Sequence, residues 1–75
     1  MDGKKLALLE CAAMLMELGE EVERARRYVA WLREQGVGAE TRMMRTALRD
    51  FREAESTFRA TERQYLALRD ELAGK

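Results

Sequence analysis

The chain has 75 residues, no proline, no histidine and one cysteine, and fourteen basic side chains balance fourteen acidic ones. That length allows one small domain, expected to span 1–75, and a lone cysteine closes no internal disulfide. Missing histidine removes the commonest general base and metal ligand, and zero net charge argues against a strongly basic nucleic-acid or membrane-surface protein.

The most apolar stretch runs from Leu6 to Leu18, where eleven of thirteen residues are apolar. It is too short to cross a bilayer and contains Glu10 and Glu17. A secretory signal is also a poor fit, because Glu10 interrupts the apolar run and no small-residue cleavage site follows it. The stretch therefore reads as mature helix, and the chain as cytoplasmic with no membrane partner.

With Leu8 at position a of a heptad, positions a and d read Leu8, Cys11, Leu15, Leu18, Val22, Ala25, Val29 and Leu32. This unbroken apolar seam predicts a first helix over about 3–35. Gly36 suits the left-handed position just past a helix end, with Val37 folded back on Leu32. A turn over 36–38 then precedes a second helix, with Gly38 as its cap and Glu40 in its first turn. In that helix, expected over about 39–73, positions a are Met44, Phe51, Phe58, Tyr65 and Leu72, and positions d are Ala47, Ala54, Thr61 and Leu68. No β alternation appears.

A short turn makes the helices antiparallel. Centred on Val37 and Gly38, it places Leu32 opposite Met44, Val29 opposite Ala47, Ala25 opposite Phe51, Leu15 opposite Thr61 and Cys11 opposite Tyr65. Small residues then meet large ones in several layers, as dense packing requires. The expected fold is all-α, a two-helix coiled-coil-like hairpin. A hairpin this small is short of core, and composition offers neither disulfide nor metal as a staple. The expectation is therefore a homodimer forming a four-helix bundle, or a complex with another protein.

A second stripe outside the seam shows where such a contact would form. It comprises Leu6, Leu9, Ala13 and Met16, with Leu66 at the same end of the hairpin. It reads either as the core of a dimer or as a docking face for a partner. Gly19 follows it in mid-helix, suiting a close backbone approach or a bend.

The charges are sorted along the chain. Residues 24–52 carry eight arginines against three acids, and the remaining segments carry the matching acidic surplus. Folded as a hairpin, this becomes an axial dipole with its positive end at the turn. Arg42, Arg45, Arg49, Arg52, Arg59 and Arg63 occupy outer b and f positions of the second helix. They read as an anion-binding face for nucleic acid or an acidic partner, or as a solvated face threaded by ion pairs. Candidate i,i+4 pairs are Glu20–Arg24, Glu23–Arg27, Arg49–Glu53 and Glu55–Arg59. Tyr28 and Trp31 lie near the basic end, off the seam, as possible aromatic anchors.

Catalysis has little to work with. There is one serine, Ser56, no glycine-rich phosphate loop, and no histidine for a Glu-x-x-His metal pair. Cys11 falls in the seam, where a thiol is inert packing. No catalytic residue, metal, cofactor or small-molecule substrate is expected.

The hairpin with Thr46-Ala47-Leu48-Arg49-Asp50 on its second helix resembles the short aspartyl-phosphate phosphatases of sporulating bacteria. Their second helix carries serine and, four residues on, aspartate. Here threonine stands for the serine and arginine precedes the aspartate, so the resemblance covers architecture and two positions. The architecture is also similar to the small plasmid RNA-binding hairpin that dimerises into a four-helix bundle. The leading functional expectation is a non-catalytic adaptor, inhibitor or regulatory subunit that docks by a helix face. The alternative is an RNA- or DNA-binding hairpin using the arginine stripe.

Overall fold

A computed structural model describes residues 2–74. Helix α1 spans Gly3–Glu34 and helix α2 spans Arg42–Leu72. The two lie side by side as a rod 52 Å long and about 15 Å wide. Among the described residues there is no strand.

The ends of α1 follow from local chemistry. Asp2 is the N-cap, and its side chain accepts a hydrogen bond from the Lys4 backbone N–H at 3.2 Å, satisfying a donor that has no partner within the helix. At the other end Gly36 has φ of 81°. The Val37 N–H donates to the Leu32 carbonyl at 3.0 Å, and the Gly36 N–H donates to the Arg33 carbonyl at 3.0 Å. This paired closure is the Schellman arrangement, and it folds Val37 onto the core beside Leu32.

The connection is longer than the expected turn over 36–38. Helix α2 starts at Arg42 rather than near residue 39, and its cap is Thr41 rather than Gly38. The Thr41 hydroxyl accepts from the Met44 N–H at 3.1 Å and donates to the Gly38 carbonyl at 2.8 Å. A glycine has no side-chain oxygen to offer the free amides of a first helical turn, whereas threonine has one. Glu40 consequently lies in the connection, outside the helix it was expected to open.

The antiparallel register survives this change. Lys4 near the start of α1 pairs with Glu71 near the end of α2 at 3.1 Å. Midway along the rod, Gly19 faces the ring of Phe58. Near the turn Val29, Leu32, Met44 and Ala47 form one buried cluster, covered by Val37, Leu48 and Phe51. Every a and d residue of both series is buried or half-buried. Full burial is concentrated at the turn end, and among the described residues Thr61 is the one buried farther along. Two helices shield only one stripe of each other, so most of the seam keeps an open side.

Gly19 is not demanded by the hairpin's own packing. A methyl group there would touch a Phe58 ring carbon at 3.6 Å, an ordinary contact. Glycine inside a helix costs about 1 kcal/mol relative to alanine. Gly19→Ala is therefore expected to stabilise the hairpin by roughly that amount, read as a higher midpoint in thermal or denaturant unfolding. A destabilised variant would show that α1 bends at this point in solution.

Candidate functional surface

The first half of α1 has an unusual surface. Between Leu6 and Leu18 only Glu10 and Glu17 are charged, and a spacing of seven puts them on one line of the helix. The rest of the circumference is apolar. A helix apolar nearly all round is normally surrounded; here the hairpin covers only the seam side. Leu6 and Leu9 remain about half exposed, Met16 is 72% exposed, and Ala13 is also exposed. These four occupy f, b, f and b positions, the side of α1 away from α2. Leu66 is 38% exposed and stands at an outer b position of α2. The five predicted contact residues are therefore all at the surface, four on one helix and one on the other.

The stripe runs into a groove. Leu15, Met16, Gly19, Glu20, Glu23, Arg24 and Arg27 line a depression of about 450 Å³ at the middle of α1. Gly19 lies at its edge, on the side toward Phe58, and the other lining side chains are long and mostly charged. Beyond it the same outer face changes sign, with Arg24, Arg27, Ala30 and Trp31 all exposed.

Ion pairing along the rod is sparse and partly different from expectation. Glu55 and Arg59 do approach, at 3.8 Å. Glu23 pairs with Arg26 rather than Arg27, accepting from the guanidinium at 2.6 Å and 3.0 Å. Arg49 lies nearest Asp50, at 3.5 Å, rather than Glu53. Glu20 and Arg24 form no pair within 4 Å among the described residues. The reason is side-chain reach: long exposed chains take whichever neighbour their rotamers allow, for little net energy. The hydrogen bonds from Arg26 hold the Glu23 carboxyl below its usual range, aided by the charges of Arg26 and Arg27 and opposed by desolvation. A lowered carboxyl makes its contribution above the ordinary glutamate range and loses it as pH falls through the lowered value.

Arg42, Arg45, Arg49, Arg52, Arg59 and Arg63 are all exposed on α2. Of these, only Arg49 and Arg59 lie within ion-pair distance of a carboxylate among the described residues. Tyr28 and Trp31 stack one turn apart, with ring centroids 6.2 Å apart and planes 18° from parallel. Tyr28 also borders a second groove, of about 430 Å³, with Arg42, Met43, Thr46, Ala47 and Asp50. Met43 is 54% exposed and was not singled out from the sequence. Its signal was positional: Met43 and Tyr28 both occupy g positions, and antiparallel pairing puts two g positions on one edge.

Among the described residues no helix is long and apolar enough to cross a membrane, and no group of three or more Cys, Asp or Glu side chains could hold a metal ion. Cys11 is half-buried in the seam. No family model matches the chain, and neither does any curated protein or solved structure.

Proposed function

We propose that this chain is a protein-interaction module that works without catalysis, by docking the outer face of the first half of α1. One observation carries the reading: Leu6, Leu9, Ala13 and Met16 form an aligned apolar stripe that the hairpin leaves uncovered. Burying such a stripe gains about 25 cal/mol for each Å² of apolar area removed from water, which a core this short does not recover internally. Groove docking of an amphipathic helix face is the matching recognition mode.

Placing a photo-crosslinking amino acid at Leu9, in cells of the source organism, should yield a protein adduct. The same group at Gln64, an exposed position of α2, should not. Adding Leu9→Glu to a chain probed from Met16 should abolish the adduct while helical circular dichroism is retained. Absence of any protein adduct at Leu9 and Met16, at native expression, sinks the reading.

The second reading is nucleic-acid binding along α2. It is favoured by Arg42, Arg45, Arg52 and Arg63, which are exposed and outside the ion pairs of the described residues. Such binding should weaken log-linearly with salt, and Arg45→Ala should reduce the slope by about one. No binding to RNA or DNA at low salt removes it.

A further inference from the structure

The outer face of α1 is sorted along its length. Its first half presents Leu6, Leu9, Ala13 and Met16 edged by Glu10 and Glu17; its second half presents Arg24, Arg27, Ala30 and Trp31, together with Glu34 and with Glu23, whose carboxylate is held by Arg26. Among the described residues, none of Glu10, Glu17, Glu20, Arg24 and Arg27 takes part in an ion pair. The Gly19 groove lies between the two halves, at the midpoint of a helix running Gly3–Glu34. The first half thus carries the unpaired carboxylates of Glu10 and Glu17 beside apolar surface, and the second carries the unpaired guanidiniums of Arg24 and Arg27 beside alanine and tryptophan.

We infer that the occupant of this face is a second copy of the chain, packed α1 against α1 in antiparallel orientation about a two-fold axis at the Gly19 groove. The inference rests on the docking reading above and names its partner. A two-fold contact is isologous, so each pairing occurs twice. With the axis near Glu20, Glu17 lies opposite Arg24 of the second copy, on the flank formed by c positions. Leu9 lies opposite Ala30 of the second copy on the b flank, large against small, while Met16 and Leu6 lie against the methylenes of Glu23 and Glu34. Ala13 sits beneath the methylenes of Arg27, and Glu10 beside the exposed Trp31, whose indole N–H is a hydrogen-bond donor. Glu20 meets its own copy near the axis, with Arg24 and Arg27 of both chains around it. A parallel pairing would instead set Glu10 and Glu17 against themselves, and Arg24 and Arg27 likewise, which charge repulsion opposes.

The symmetry provides a decisive test. Glu17→Arg alone places two arginines opposite each other at both symmetry-related contacts of the c flank, and Arg24→Glu alone places two glutamates there. Mixed together, the two variants restore an opposite pair at each of those two contacts. Sedimentation velocity at tens of micromolar should show a dimer for the unaltered chain. Each single variant should dimerise at least about tenfold more weakly, and their equimolar mixture should recover the dimer. Helical circular dichroism of each variant checks that the hairpin is intact. An unaltered chain that stays monomeric, single variants that dimerise normally, or a mixture that fails to recover would each overturn the inference. If the chain is monomeric while Leu9 still crosslinks to a different protein, docking by this face stands and the second copy is excluded as its occupant.

Discussion

Leu32→Ala is expected to cost the hairpin about 3–5 kcal/mol, in the upper range for a leucine removed from a dry core. Leu32 is the most deeply buried residue, 1% exposed, and it does two jobs. Its side chain anchors the cluster with Val29, Met44 and Ala47, and its carbonyl accepts the Val37 N–H that closes α1. A single core in a chain this size supplies only about 3–5 kcal/mol in all. The variant should therefore have lost most of its helical circular dichroism at 25 °C in dilute solution. Leu15→Ala supplies the contrast. Leu15 belongs to the same seam but is half-buried, so its removal should cost about half as much. Equal losses for the two would mean that the middle of the seam is as dry in solution as the turn end.

The second large effect tests register. Met44→Ala removes a side chain 2% exposed and should cost about 2–4 kcal/mol. Leu32 and Met44 belong to one buried cluster, so the double variant should differ from additivity by about 0.5–3 kcal/mol. Leu32→Ala combined with Leu68→Ala should be additive, since Leu68 lies near the far end of the rod. Both comparisons are read from denaturant midpoints at fixed protein concentration, in a stabilising osmolyte that keeps every variant folded before denaturant is added. Additivity for Leu32 with Met44 would separate residues that the antiparallel register brings together.

The electrostatic layout bears on both proposals. The fold turns a neutral sequence into a rod whose turn half, residues 24–52, has the arginine surplus and whose other half has the acids. Association steered by such a field weakens as salt screens it. The dimer and the nucleic-acid complex share that trend, which is why the charge-exchange mixture separates them and salt alone does not.

Both helices, the seam residues, the glycine closure at Gly36 and the antiparallel register were legible in the order of the residues. The physical reason is that each rests on a local or periodic rule. A 3.5-residue apolar repeat specifies which side of a helix is buried, and a glycine at positive φ needs only its own freedom and the next apolar residue. The start of α2 was less legible, because Gly38 and Thr41 both qualify as caps. The choice between them depends on whether a hydroxyl reaches the Met44 amide, which is a matter of geometry. The ion-pair partners of Glu23 and Arg49 were illegible for a related reason, since exposed side chains choose among neighbours of nearly equal energy.

The candidate surface divides in the same way. Its apolar stripe was visible as spacing along α1, and so were the arginines of α2. Only the tertiary structure decided that Leu6, Leu9, Ala13 and Met16 remain uncovered, because burial is a property of what lies opposite and not of the residue itself. It also set Gly19 against Phe58 with room for a methyl group, and gathered Glu20, Glu23, Arg24 and Arg27 around a groove at the middle of α1. Sequence shows that an apolar residue should be buried somewhere, and the fold shows which of those residues the chain leaves without a neighbour.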